Sequence, residues 1–385
     1  MPHYSGKFDS KLPRVGTTIF TVMSQLATQH DAINLSQGFP DFDCAPELRA
    51  LVIKYLGLGL NQYPPMPGVP SLREAIAEKV QALYGAIYDP EREVTVVPGA
   101  TYGIYTAVAA MVRPGDEVIL FEPAYDSYGP SIEVNGGTPV YVQLTYPDYA
   151  IDWQAVRQAI SPRTRMVIVN TPNNPTASVF SAEDLRMLEG MLAGTDIVVV
   201  SDEVYEHIVF DGHAHQSVAR FAGLAERSFI VSSFGKTYHV TGWKMGYVLA
   251  PHELMDEFRK VHQFNVFVTN GPIQYALAEY MKDKEAYLGL AQFYQGKRDF
   301  FLAGIEDSRF KPLSSRGTFF QNLCYDAISD ERDTHLAVRL TREYGVASIP
   351  VSVFYREPPE HKVLRFCFAK SEATLAKAAE ILRRI

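Results

Sequence analysis

Short runs of β-branched and apolar residues alternate with helix-like stretches between residues 93 and 250. The runs cover residues 93–97, 117–121, 139–144, 165–170, 197–201, 228–232 and 245–250. Among the stretches between them, 185–192 is preceded by Ser181 and Asp184, the spacing of a helix capping box. Strands that alternate with helices imply crossover connections within a largely parallel sheet. The pattern therefore predicts a large α/β domain on a mostly parallel seven-stranded sheet.

The flanking segments predict a second, smaller unit. Ser71 and Glu74 form another capping pair, which predicts a helix from Ser71 to about Tyr84, after a proline-rich loop. Beyond a long helical connection over 284–307, the tail predicts strands at 318–325 and 363–369 and helices at 335–344 and 372–384, the last capped by Ser371. The first 45 residues are too few to fold alone. We expect a large domain over 46–290 and a small α+β domain over 1–45 and 291–385.

Composition argues against several classes of function. The 36 basic and 44 acidic residues leave a net charge of −8 with no visible basic stripe, so nucleic-acid binding is not expected. No apolar stretch approaches the roughly 18 residues of a membrane helix. The N-terminus lacks the apolar segment of a secretory signal, and three scattered cysteines make no disulfide framework. His213 and His215 have no further metal ligands spaced around them. We therefore expect a cytoplasmic protein that uses no metal and binds no membrane.

The sequence matches two phosphate-binding motifs only in part. The segment Gly235-Lys236-Thr237 matches the end of a P-loop, but Ile230 stands where that loop needs a glycine. Gly57 and Gly59 match the start of a dinucleotide fingerprint, but Gln62 occupies the third glycine position and no strand precedes them. Neither nucleotide-binding motif is therefore present.

Unusual polar and glycine-bearing segments follow the predicted strands instead, at the edge where open α/β sheets bind ligands. In chain order they are Gly99-Ala100-Thr101-Tyr102, Glu122-Pro123-Ala124-Tyr125, the segment 171–176, Ser201-Asp202-Glu203-Val204-Tyr205, the segment 232–236 and the segment 242–246. The first of them opens a helix, and free N–H groups at a helix N-terminus bind phosphate. An acid, an amide, a tyrosine and a lysine thus converge on one site.

Together these segments resemble the fold-type I pyridoxal-phosphate enzymes, specifically the class I and II aminotransferases, over nearly the whole chain. Further segments that carry the resemblance are residues 34–42, Asn61-Gln62-Tyr63, residues 232–247 and residues 365–370. The pattern is most similar to the branch that includes bacterial methionine aminotransferase and kynurenine aminotransferase. The resemblance implies pyridoxal 5'-phosphate as cofactor and a two-domain fold of the kind already predicted.

The resemblance also implies roles around the cofactor ring. Lys236 matches the lysine that forms the Schiff base and later carries a proton between substrate and cofactor. Asp202 matches the carboxylate that keeps the pyridine nitrogen protonated, so that the ring accepts electrons. Tyr205 and Asn174 match hydrogen-bond donors to the phenolic oxygen, and Tyr125 matches the ring that stacks on the cofactor.

At the phosphate end, Ala100 and Thr101 match donors at a helix N-terminus, Ser233 a hydroxyl, and Lys244 a positive charge. Many aminotransferases carry arginine at the position of Lys244, where lysine gives a point charge without a bidentate fork. Lysine recurs there in the favoured branch. Tyr63 matches a residue that reaches the phosphate of the neighbouring subunit, which implies a homodimer with shared active sites.

For the substrate, Arg365 matches the arginine that binds the α-carboxylate, a task that suits bidentate geometry and a permanent charge. The backbone of Gly38 is expected at the same group, and Asn174 is also expected to bind the substrate. Ile19 and Tyr102 match residues that wall the substrate side chain in related enzymes. These residues define the expected substrate site.

The sequence constrains the identity of the substrate less than it constrains the family. Dicarboxylate-specific relatives carry a second arginine, and the matching segment 264–270 contains none, so a neutral side chain is favoured. We predict methionine first, then aromatic amino acids or histidine, with a 2-oxo acid as acceptor and ping-pong kinetics. A kynurenine aminotransferase or carbon–sulfur β-lyase with the same cofactor stays open. A non-catalytic sensor behind a DNA-binding region is disfavoured, because only about 30 residues precede the matching segments.

Overall fold

The seven strands predicted between residues 93 and 250 form one mixed sheet in a computed structural model of the chain, which describes residues 2–385. The strands in this range are β1 (Ile33–Asn34), β2 (Val94–Val97), β3 (Glu117–Glu122), β4 (Thr138–Gln143), β5 (Thr164–Asn170), β6 (Val198–Asp202), β7 (Ser228–Ser233), β8 (Gly246–Leu249), β9 (Lys311–Pro312), β10 (Phe320–Cys324), β11 (Val346–Ala347), β12 (Ile349–Pro350) and β13 (Val363–Cys367). Strands β2 to β8 correspond to the seven predicted runs, and each end lies within one residue of its prediction.

The large sheet has the strand order β2-β8-β7-β6-β5-β3-β4 within residues 2–385. Neighbouring strands from β7 to β4 pair in parallel, whereas β8 is antiparallel to both β7 and β2. The apolar strand residues are buried on both faces: Val118 and Leu120 of β3 pack into one core cluster, and Ile119 and Phe121 into the other. The predicted mostly parallel sheet is therefore confirmed.

Helices cover both faces of this sheet and complete the chain. Those within residues 2–385 are α1 (Ile19–Gln29), α2 (Pro46–Gly57), α3 (Pro70–Tyr84), α4 (Ala100–Met111), α5 (Tyr128–Val134), α6 (Trp153–Ala159), α7 (Ala182–Leu192), α8 (Ala222–Ala225), α9 (Phe234–Thr237), α10 (His252–Asn265), α11 (Gly271–Tyr280), α12 (Glu285–Leu288), α13 (Leu290–Gly304), α14 (Asp333–Arg339) and α15 (Glu372–Leu382). None of the helices described there is both long and apolar enough to cross a membrane.

One of the two predicted capping boxes forms and the other does not. Ser181 and Asp184 cap α7 reciprocally, as predicted. The box at Ser71 and Glu74 was wrong, because α3 begins one residue earlier with Pro70 in its first turn and Val69 as its cap. Proline suits a first helical position, since its φ is already helical and its missing N–H needs no partner.

The C-terminal part forms a separate four-stranded sheet within the described residues, in the order β12-β13-β10-β9. The N-terminal segment joins this region, because Ile33 of β1 pairs in parallel with Val346 of β11. The predicted helix at 335–344 is α14 continued by a wider turn over Leu340–Tyr344, and Ser371 caps α15 as predicted. The boundaries of the large and small domains stay a prediction.

Candidate active site

A cavity lies at the carboxyl ends of β5, β6 and β7, next to the start of α4, and encloses about 720 Å³ including its mouth open to solvent. It brings together nine of the predicted site residues. They are Ala100, Thr101, Tyr125, Asn174, Asp202, Tyr205, Ser233, Lys236 and Lys244. Crossover connections explain this convergence, because the carboxyl ends of parallel strands meet at one edge of the sheet.

One end of the cavity is built to attract an anion. Helix α4 begins at Ala100 after Gly99, which has a φ of 90° that a residue with a Cβ rarely adopts. A Cβ on Gly99 would lie 3.3 Å from Nζ of Lys244, so this ammonium is beside the helix N-terminus. The hydroxyl of Ser233 lines the same cavity. Unpaired helix N–H groups, the helix dipole and the ammonium all favour a negatively charged group there.

Lys236 projects from the short helix α9, directly after β7. Its Nζ donates a hydrogen bond to the backbone oxygen of Gly38 at 2.8 Å and lies 5.3 Å from the ring centroid of Phe319. Burial lowers the pKa of this amine to about 8, and the nearby charges of Arg365 and Lys244 act in the same direction. With a pKa of about 8, roughly a tenth of Lys236 is an uncharged nucleophile at pH 7, far more than for an ordinary lysine.

Asp202 is the last residue of β6 and is only 4% exposed. Its Oδ2 accepts a hydrogen bond from the hydroxyl of Tyr128 at 2.6 Å, and its Oδ1 accepts one from the N–H of Val204 at 3.2 Å. Burial raises the pKa of Asp202 to about 6, whereas these two hydrogen bonds oppose the rise. The site therefore holds a buried carboxylate that is ionised above about pH 6.

Tyr205 and Asn174 complete the polar wall around Asp202. Tyr205 is 2% exposed, and burial raises its pKa well above the ordinary value, so that its hydroxyl remains a donor. The side chain of Asn170 links the two loops: its Oδ1 accepts from the N–H of Asn174 at 2.8 Å, and its Nδ2 donates to the backbone oxygen of Asp202 at 3.0 Å. These bonds set the spacing of the loops after β5 and β6.

Arg365, on β13 of the second sheet, reaches this wall from the other side. It is 1% exposed, and its guanidinium donates to Oδ1 of Asn174 and, at 3.3 Å, to the backbone oxygen of Ser36. Its Nε has no hydrogen-bond partner among residues 2–385, and its Cζ lies 3.9 Å from the ring centroid of Phe320. Burial lowers the pKa of Arg365 to about 10, which leaves it charged. A buried cation with a free donor is suited to bind a carboxylate.

The remaining predicted residues do not line the cavity within residues 2–385. Gly38 is joined to it through the bond to Lys236, while the hydroxyl of Tyr102 is 2.9 Å from Nδ1 of His262, outside the cavity. Ile19 is half-buried at the start of α1. Tyr63 is 83% exposed, with its ring edge-on to Phe267. Their substrate or cofactor contacts stay predictions.

Sequence reasoning missed Tyr128 and Asn170. Tyr128 stands three residues after Tyr125, at the start of α5, and Asn170 is the last residue of β5. Each position carried a usable signal, because a phenol or an amide at the end of a buried strand or at the start of the next helix faces the ligand edge of the sheet. The sequence around Tyr128 and Asn170, however, gave no indication that both would form hydrogen bonds with Asp202.

Comparison with known proteins assigns the family. The sequence profile of the family described as Aminotransferase class I and II matches residues 30–382. The chain therefore belongs to the class I and II aminotransferases, a family that uses pyridoxal phosphate. The expected family and fold are confirmed.

Individual relatives share nearly the full length. Methionine aminotransferase of Escherichia coli (strain K12) is 50% identical over 377 residues, which cover 98% of each chain. The crystal structure of YbdL from Escherichia coli, described as having a methionine aminotransferase function, has a TM-score of 0.97 at 49% identity and covers 98% of this chain and 100% of that one. N-Succinyldiaminopimelate aminotransferase from Mycobacterium tuberculosis has a TM-score of 0.94 at 39% identity and covers 98% and 100%.

Proposed function

We propose that this protein is a pyridoxal-phosphate-dependent aminotransferase that takes the amino group of methionine, or of aromatic amino acids or histidine, and passes it to a 2-oxo acid. The observation that carries the proposal is one cavity that joins three features: the amine of Lys236 with its lowered pKa, the buried carboxylate of Asp202, and the N-terminus of α4. The buried guanidinium of Arg365 stands beside them.

The donor set fits the cofactor. The N-terminus of α4, with Ser233 and Lys244, would hold the phosphate, and Asp202 would pair with the ring nitrogen. Tyr205 and Asn174 would donate to the ring oxygen, and Tyr125 would lie on the ring face. When bound, pyridoxal phosphate supplies an aldehyde that carries amino groups and a ring that accepts electrons from the substrate α-carbon.

The protein's own residues then have separate tasks. The guanidinium of Arg365 binds the substrate α-carboxylate and so orients the α-hydrogen. The uncharged amine of Lys236 takes the proton from the α-carbon and later returns one, which suits a base with a pKa of about 8. The carboxylate of Asp202, which accepts a hydrogen bond from Tyr128, provides a negative charge that would stabilise the positive charge of a protonated ring nitrogen.

Aromatic side chains around Arg365 support an apolar substrate. The rings of Phe320, Phe20 and Phe354 have centroids 3.9, 5.4 and 5.3 Å from Cζ of Arg365. A thioether or an aromatic side chain packs well on such rings, whereas a second carboxylate would need a cation that segment 264–270 lacks. The 50% identity to Escherichia coli methionine aminotransferase supports the same choice.

The assembly is part of this proposal. Tyr63 is 83% exposed in a single chain, which fits a residue that completes the phosphate site of a second copy in a homodimer. A large domain over 46–290 and a small domain formed by 1–45 and 291–385 would then carry Lys236 and Arg365 on separate units. A cytoplasmic location stays a prediction from the sequence.

The experiment is a visible absorbance titration of the purified protein loaded with pyridoxal phosphate. L-Methionine and L-aspartate are added separately, without any 2-oxo acid, and the matching oxo acid is assayed. We expect a yellow absorbance band that bleaches faster with methionine. If no band forms after the cofactor is added, the enzyme assignment is wrong; if aspartate bleaches the band faster, the substrate assignment is wrong.

A further inference from the structure

Glu206, the residue after Tyr205, is the centre of a buried polar group outside the cavity. Its Oε1 accepts hydrogen bonds from Nζ of Lys79 at 2.6 Å, from the hydroxyl of Ser232 at 2.6 Å and from the hydroxyl of Tyr247 at 3.0 Å. Its Oε2 accepts one from the hydroxyl of Tyr84 at 2.6 Å. We call these five residues the Glu206 cluster; none of them lines the cavity described within residues 2–385.

The cluster connects the elements that carry the reactive groups. Ser232 precedes Ser233 on β7 and pairs in register with Tyr247 of β8. Successive strand residues point to opposite faces, so Ser233 faces the cavity while Ser232 faces Glu206. Lys236 follows β7 directly. One carboxylate therefore ties the turn that bears Tyr205 to the strands on either side of the reactive lysine.

Glu206 remains ionised in this setting. It is 6% exposed and Lys79 is 7% exposed, and burial alone would raise the pKa of the carboxyl. The ammonium of Lys79 and the hydrogen bond from Ser232 instead hold the pKa of Glu206 well below its ordinary range. The Nε2 of His207 lies 3.2 Å from Nζ of Lys79, and this imidazole stays neutral because burial lowers its pKa to about 3. The cluster thus holds a single buried ion pair. Removing either partner would leave the other charge buried and uncompensated, which destabilises the folded protein.

We propose that Glu206 is a positioning residue for the transamination reaction, holding the Tyr205 hydroxyl at a set distance from Lys236. The turn is tight, since the N–H of Glu206 donates to the oxygen of Glu203 at 2.9 Å and the N–H of Ile208 donates to that of Tyr205 at 2.8 Å. The Tyr205 ring packs edge-on against Phe319 with ring centroids 5.1 Å apart, an apolar contact that does not tie the turn to β7 or β8. Besides the backbone bond from the N–H of Glu203 to the oxygen of Val231 on β7, the side chain of Glu206 ties the turn to β7 and β8 through Ser232 and Tyr247. This inference rests on the proposed function.

The test measures a spectroscopic property of the bound cofactor. A hydrogen bond from Tyr205 to the cofactor's ring oxygen would lower the pH midpoint of the visible absorbance change of the loaded protein. Tyr205→Phe is expected to raise this midpoint by about one pH unit, and Glu206→Gln by about half a unit. Because Glu206 acts through Tyr205, the double variant should show no larger shift than Tyr205→Phe alone.

A second pair of variants separates positioning from stability. Glu206→Gln leaves Lys79 unpaired and should lower the thermal midpoint of the cofactor-free protein, whereas Lys79→Met combined with Glu206→Gln removes both charges and should recover it. The absorbance midpoint should stay raised in the variant that combines Lys79→Met with Glu206→Gln. If it returns to the wild-type value together with the thermal midpoint, the cluster is only structural and the inference is wrong.

Further controls keep each outcome decisive. Asp211→Asn breaks the ion pair with Arg298 and should leave the absorbance midpoint unchanged. Should Glu206→Gln not fold, Ser232→Ala deletes a single bond to the carboxylate and should raise the midpoint in the same direction. A wild-type protein with no absorbance band would refute the proposed function. A wild-type band that shifts in Tyr205→Phe but not in the Glu206 or Ser232 variants would refute this inference alone.

Discussion

Replacing Tyr128 with phenylalanine removes one hydroxyl and leaves its ring in place. That hydroxyl donates to Oδ2 of Asp202 at 2.6 Å, and the two side chains are only 3% and 4% exposed. A hydrogen bond to a charged group contributes about 1.5–3 kcal/mol. Since one pKa unit corresponds to about 1.4 kcal/mol, its loss should raise the pKa of Asp202 by about one to two units. The starting value is about 6, so the variant carboxyl would titrate near pH 7 to 8.

The sign of the pH dependence follows from the raised pKa of Asp202. The folded protein binds this proton more tightly than the unfolded chain, so stability falls as pH rises from the ordinary value of 3.8 through about 6, and the loss is then complete. In Tyr128→Phe the loss continues up to the higher pKa. At pH 5 the carboxyl is mostly protonated in both folded proteins. At pH 8.5 the variant should therefore be less stable by about 1.5–3 kcal/mol, and at pH 5 by about 1 kcal/mol or less.

Urea unfolding of the cofactor-free protein at pH 5 and pH 8.5, followed by intrinsic fluorescence, measures both differences. Tyr149→Phe is the matched control, because Tyr149 is 4% exposed and its hydroxyl has no hydrogen-bond partner among residues 2–385. Its free energy of unfolding should change by the same small amount at both pH values. An equal loss for Tyr128→Phe at pH 5 and pH 8.5 would refute the role assigned to the Tyr128 hydroxyl.

Three further predictions concern the proposed reaction. Lys236→Ala should lower the rate of oxo-acid release from methionine by at least about 10³-fold, and a variant that keeps a tenth of the activity would contradict its role as base. Arg365→Lys should raise KM for methionine by about 10- to 100-fold in steady-state assays, because it loses bidentate binding; an unchanged KM would remove Arg365 from the carboxylate site. Tyr63→Ala should weaken pyridoxal phosphate binding, measured by fluorescence titration, while the dimer persists in analytical ultracentrifugation. Unchanged cofactor affinity would mean that Tyr63 does not reach the phosphate.

Secondary structure was predictable because it depends on neighbours in the chain. The seven β-branched runs became strands β2 to β8 with ends within one residue, and Ser181 and Ser371 cap their helices as expected. The capping pair at Ser71 was wrong because Pro70, one residue earlier, begins the helix. The small strands β1, β9, β11 and β12 were not predicted, since each spans two residues and leaves no periodic pattern.

The sequence alone determined the mostly parallel sheet and the identity of the chemical groups at its carboxyl edge, because burial periodicity, helix caps and strand-end segments act over a few residues. Only the tertiary structure decided how those groups are held. Tyr128 and Asp202 are 74 positions apart, and Arg365 and Asn174 are 191 apart. Hydrogen bonds across such distances depend on which strands are neighbours and how two sheets meet, and the lowered pKa of Lys236 depends on burial by residues from the whole chain.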